Sequence, residues 1–143
     1  MSRALAREDA FKLIFEMSVS GITSEEALNY MYTSAEKDNE MWAQKSVKEA
    51  NKKYMNKIIC GVEQKRQYLD DTIAPLLKGW TISRISKVNL SVLYLAFYEI
   101  EFIEDIPYKV SANEAVALAK KYGGEEAGAF VNGVIGTFLK SKI

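Results

Sequence analysis

With 143 residues, 48% of them apolar, the chain is long enough for one compact domain, or for two small subdomains sharing a core, and it is too apolar to be disordered. Its 19 basic side chains are balanced by 19 acidic ones, so no net field draws it to nucleic acid, and any such affinity must come from a local patch. The lack of histidine removes the commonest general base and metal ligand and the single Cys60 rules out an internal disulfide, which leaves hydrolytic and zinc chemistry without support; no metal and no cofactor is expected.

The N-terminal segment MSRALAREDAFKL has scattered charges and no apolar signal core, and no stretch reaches the roughly 18 apolar residues of a membrane span. A cytoplasmic location without membrane contact is expected. Only two prolines and an apolar period of about 3.6 predict an all-α fold. A first helix, Arg3 to Val19, places Ala6, Ala10, Leu13, Ile14 and Met17 on one face, and Gly21 stands where a left-handed C-terminal residue belongs. Thr23 with Glu26 is a capping-box pattern for a second helix to about Tyr32, followed by a polar loop from Thr33 to Asn39. Ser46 with Glu49 repeats the pattern. Tyr54, Ile58, Val62, Leu69 and Ile73 then share a face, which predicts one long amphipathic helix ended by Pro75.

From Ser86 to Ile103 apolar residues cover most of the helix circumference, as a central helix requires. Pro107 breaks it, and Ser111 with Glu114 predicts the start of another helix that Gly123 and Gly124 stop. The last helix carries Ala127, Phe130, Val131, Val134, Ile135 and Phe138 on one stripe, with Gly128, Gly133 and Gly136 allowing close approach.

Three groups are candidates for binding. Arg3 and Arg7 lie one turn apart, a spacing that suits two phosphates of a strand and equally suits a solvated face beside Glu8 and Asp9. Phe130 is either a core residue of its stripe or an aromatic that stacks on an unpaired base. Lys48, Lys52, Lys53 and Lys57 track one helix, where Glu49 and Glu63 dilute them. Asn132 is expected to be a buried side chain bonded to backbone, Glu114 a cap, and Asp70 and Asp71 point apart on their helix rather than forming a catalytic pair.

The segment Pro107, Tyr108, Lys109, Val110, Asn113, Glu114, Ala115, Leu118, Ala119, Lys120, followed by Phe130, Val131, Asn132, Gly133, Val134, resembles the C-terminal signature of the NusB transcription antitermination factors. Ala6-Arg7-Glu8-Asp9-Ala10 matches the end of that family's arginine-rich first helix, Val62, Leu69 and Asp70 a second segment, and Leu93, Ala96, Tyr98 and Glu99 a third. The resemblance implies two small packed helix bundles forming a single RNA-binding domain over residues 1–143, with an N-terminal helical subdomain of about 1–80 and a C-terminal one of about 81–143. It also implies a non-enzymatic protein that binds the boxA element of nascent ribosomal RNA as a single strand. Its partners would be the small-subunit ribosomal protein acting as NusE and the RNA polymerase antitermination complex. Arg3, Arg7 and Phe130 would be the RNA contacts.

The chain departs from the family pattern at several places: the arginine cluster is thinned, Ala129 replaces a basic residue, Tyr94 stands where arginine is common and Asn89 where an acid is common. A helical interaction or dimerisation module with weak or no RNA binding therefore stays open, as a homodimer through the first-helix face. The same domain type also occurs as an appendage of ribosomal RNA methyltransferases, but no α/β cofactor domain is recognisable before Ile143 and a stand-alone methyltransferase is not expected.

Overall fold

The computed structural model describes the backbone of residues 3–36 and 48–142, and the side chains of residues 3–33 and 51–142. These residues form seven α-helices and no strand, in two compact units, Met1–Gln64 and Lys65–Ile143. The division thus falls earlier than the expected position near residue 80, because the segment after Lys65 packs against the central helix of the second unit.

In the first unit α1 (Arg3–Ser20), α2 (Ser24–Glu36) and α3 (Lys48–Gln64) each pack against the other two. Ala6, Ala10, Leu13 and Ile14 of α1, Ala27 and Met31 of α2, and Ile58 and Ile59 of α3 are buried. Gly21 closes α1 at φ +73°, its N–H donating to the Met17 carbonyl at 2.9 Å. The capping box before α2 is formed as expected: the Thr23 N–H donates to Glu26 Oε1 at 2.8 Å and the Glu26 N–H to Thr23 Oγ1 at 3.1 Å. The helix runs on to Glu36, a turn beyond the expected end, and the Ser46 pattern lies outside the described residues.

A second cap on α2 comes from across the unit. Glu63 of α3 accepts from the Ser24 N–H at 2.8 Å through Oε2 and from the Ser24 hydroxyl at 2.7 Å through Oε1. A carboxylate at a helix N-terminus satisfies orphan donors and complements the helix dipole. Replacing Glu63 by alanine is expected to cost about 1–2 kcal/mol and to speed hydrogen exchange in the first turn of α2. Unchanged exchange there would show that Thr23 and Glu26 hold the helix alone.

The expected single long helix is broken at Lys65, whose φ of −100° and ψ of 16° end the helical run between α3 and α4 (Arg66–Ile73). A 3-10 turn, Ala74–Leu76, contains Pro75 and ends that segment. The second unit continues with α5 (Lys87–Phe102), α6 (Tyr108–Gly123) and α7 (Glu125–Lys140). Every residue of α5 from Leu90 to Ile100 is buried, since α4, α6 and α7 all pack on it. Phe97 is fully buried, and its ring stacks on that of Phe138 with centroids 4.3 Å apart.

α6 begins three residues before the expected Ser111 cap, with Pro107 at the N-cap. Ser111 is instead buried and donates its hydroxyl to the buried Glu99 at 2.7 Å, so a hydroxyl read as a cap is a cross-link between α5 and α6. Glu114 consequently sits inside the helix rather than in its first turn. Of the glycines on the last helix, Gly128 alone is closely covered, a built Cβ falling 2.4 Å from Lys120 Cγ, whereas Gly133 and Gly136 face nothing within 4 Å.

Tyr94, which departs from the family pattern, has its own partners. Its hydroxyl accepts from Arg66 Nε at 2.7 Å and donates to Asp70 Oδ1, while Arg66 and Asp70 lie 3.8 Å apart one turn along α4. Asp71 accepts instead from Gln67 Nε2 at 2.9 Å, so the two aspartates do point to different partners. Burial, then the hydrogen bond to Asp70, push the Tyr94 phenol far above its ordinary value of 10.0, against the smaller opposing pull of the Arg66 charge. The folded state therefore holds this proton more tightly than the unfolded chain does. Its contribution is fully present below about pH 10 and is lost as pH rises further. Urea stability is expected to fall from about pH 10 upward, with a shallower fall in Tyr94→Phe; identical slopes would remove Tyr94 from the explanation.

At the C-terminal end Glu101 accepts from the Tyr68 hydroxyl at 2.7 Å and pairs with Lys142. Burial works to raise the Glu101 carboxyl, but the hydrogen bonds from Lys142 and Tyr68 outweigh it and hold the group below the usual range. This clasp ties the residues after α7 to α4 and α5.

Candidate nucleic-acid interface

Arg3 and Arg7 project toward α3 and meet the same aromatic ring. Arg3 is exposed, yet it is held in place: its Nε donates to Asn51 Oδ1 at 2.9 Å, and its guanidinium carbon lies 4.4 Å from the centre of the Tyr54 ring. Asn51 and Tyr54 are one turn apart on α3 and both are buried, so they form a rigid shelf beneath the arginine. A guanidinium fixed in this way loses little further freedom when it meets a phosphate.

Arg7 does not fit the expected role in the same way. It is 3% exposed, with its guanidinium carbon 6.0 Å from the Tyr54 ring, and Asp9 beside it is also buried. In this conformation Arg7 offers almost no surface to a strand, and the picture of two arginines projecting from one solvated face is corrected to one exposed arginine above one buried one. The lysines of α3 fare better as surface charges: Lys52, Lys53 and Lys57 are exposed, with Lys52 Nζ 5.5 Å from the Tyr32 ring, while the Lys48 side chain lies outside the described residues.

Phe130 belongs to the second unit. Ala127, Val131, Val134, Ile135 and Phe138 define the buried face of α7, and at 3.6 residues per turn Phe130 lies roughly 85° from the centre of that face. It is accordingly half-buried, which suits a ring anchored along one edge and open along the other. Asn132 is exposed rather than buried, because it falls on a different side of the helix. There it lines an open groove of about 560 Å³ between α6 and α7, together with Asn113, Lys120, Glu125, Gly128 and Ala129. Sequence reasoning missed this groove, although Asn113, Val116, Ala117 and Lys120 on α6 and Glu125, Gly128, Ala129 and Asn132 on α7 share one helical spacing.

Among the described residues no group of three or more Cys, Asp or Glu side chains is placed to hold a metal ion, and no helix is long and apolar enough to cross a membrane.

The sequence profile of the NusB family matches residues 4–140. The chain is 42% identical over 141 residues to the transcription antitermination protein NusB of Clostridium botulinum (strain Loch Maree / Type A3), covering 97% of this chain and 100% of that protein. It is 39% identical to the protein of the same name from Acetivibrio thermocellus, covering 100% of this chain and 92% of the relative. Among solved structures, T. maritima NusB superposes with a TM-score of 0.84 at 30% identity, over 98% of this chain and 92% of that one. A NusB in a crystal structure of antitermination factors NusB and NusE in complex with dsRNA superposes with a TM-score of 0.78 at 25% identity, over 97% and 96% of the two chains.

Proposed function

Because this chain belongs to the NusB family, we propose that it is a transcription antitermination factor that binds the boxA element of nascent ribosomal RNA together with the ribosomal protein NusE. It acts in the cytoplasm by assembly, without catalysis, and helps RNA polymerase resist termination. The observation that carries the RNA contact is Arg3, an exposed guanidinium pinned by Asn51 and stacked over Tyr54. Phe130 supplies a half-buried ring, its open edge available to an unpaired base. Arg7 contributes from below, holding the Tyr54 shelf under Arg3.

The phosphate term is small, since one exposed arginine and the scattered lysines of α3 replace a dense basic cluster. Affinity for RNA alone is therefore modest and is raised when NusE shares the strand. Fluorescence anisotropy with a labelled single-stranded boxA RNA and a scrambled control, at fixed moderate salt and with or without NusE, tests this. A preference for boxA that strengthens with NusE is the expected result. No preference in either condition from a folded protein would move the function to a helical interaction or dimerisation module.

A further inference from the structure

We propose that Trp80 is a stacking platform for an unpaired base of the bound RNA, with the cations of Lys78, Arg84 and Lys87 beside it for the flanking phosphates. This rests on the RNA-binding reading above and adds a surface that the motif residues do not include. Trp80 is 54% exposed, more than any other large aromatic side chain among the described residues. An exposed indole offers a broad π-face on which an unpaired base can stack.

The ring stands on a short, ordered scaffold rather than a slack loop. The Trp80 N–H donates to the Leu77 carbonyl at 2.8 Å, closing a turn in which Gly79 takes φ +78°, the left-handed value a type II turn needs at its third residue. A second turn follows at once, with the Arg84 N–H on the Thr81 carbonyl at 3.0 Å and the Ile85 N–H on the same oxygen at 3.2 Å. Leu77 and Ile85, at the two ends, are buried and anchor the pair of turns. The backbone that carries Trp80 is thus fixed at the junction, so little backbone ordering entropy remains to be lost on binding.

From Thr72 to Tyr98 the sequence contains no aspartate or glutamate, whereas Lys78, Arg84 and Lys87 are all exposed. Aromatic rings set among cations are what single-stranded nucleic acid uses, bases on the ring and phosphates on the charges. A protein partner is less well matched, since an anchoring tryptophan at such an interface sits within an apolar patch, and the exposed residues that flank Trp80 in the chain, Gly79, Thr81, Ser83 and Ser86, are small or polar, with only Ile82 half-buried among them.

The test compares Trp80→Ala and Trp80→Phe with the parent by anisotropy on single-stranded boxA RNA, with circular dichroism to check folding. Trp80→Ala is expected to weaken binding at least about fivefold, and Trp80→Phe, which keeps a ring, by less than about threefold. In a Trp42→Phe background Trp80 is the sole tryptophan of the two, and its emission should be quenched and shielded from acrylamide when RNA binds. If the parent binds RNA while both Trp80 variants bind equally well, or the lone Trp80 emission does not respond, the platform is wrong and the RNA-binding reading stands. If the parent binds no RNA, both fall. Loss of NusE binding in Trp80→Ala, with RNA affinity unchanged, would reassign the ring to the protein partner and overturn the proposal. Should Trp80→Ala fail to fold, the emission experiment decides alone.

Discussion

Replacing Phe97 by alanine is expected to lower the stability of the Lys65–Ile143 unit by about 3–5 kcal/mol. Phe97 is fully buried at the centre of α5, and its ring stacks face to face with Phe138 of α7, so truncation leaves a cavity that the neighbouring helices cannot easily close. Phe130→Ala makes the informative contrast. Its ring is half-buried at the edge of the same helix that carries Phe138, and its loss is expected to cost only about 1–2 kcal/mol while weakening RNA binding. Urea denaturation of both variants, followed by RNA titration of whichever remains folded, separates the two roles. Equal destabilisation would make Phe130 a core residue and remove it from the interface.

Arg7→Ala is expected to destabilise the Met1–Gln64 unit by about 2–3 kcal/mol, through lost packing of the stem and of the guanidinium near Tyr54. Arg3→Ala, one turn earlier and exposed, is expected to cost less than about 1 kcal/mol and to act on binding instead. Losing one phosphate contact should lower the slope of log affinity against log salt by about 0.7. Thermal melts and a salt series on the two variants check this. A stable Arg7→Ala that binds RNA weakly with a reduced salt slope would return Arg7 to the surface and contradict the division between the two arginines.

Local signals and long-range ones differ in how well the sequence carries them. Thr23, Glu26 and Gly21 act within a turn of chain, and the ends they mark are where they were expected. The uninterrupted apolar run of α5 likewise announces a central helix. The break at Lys65 involves neither proline nor glycine, so periodicity runs through it unseen. Ser111 has the form of a cap, and its real partner, Glu99, sits on another helix. The burial of Arg7 depends on α3, far along the chain, and the same is true of the shelf that fixes Arg3. The family motif located Arg3, Arg7 and Phe130; only packing distinguishes an exposed guanidinium, a buried one and a half-buried ring.

The most direct measurement is terminator read-through by purified RNA polymerase on a ribosomal leader template, with NusE present and this protein added or withheld. Read-through should rise with the protein when boxA is intact and stay at its basal level when boxA is scrambled. An unchanged level on the intact template, from a folded protein with NusE bound, would contradict an antitermination function.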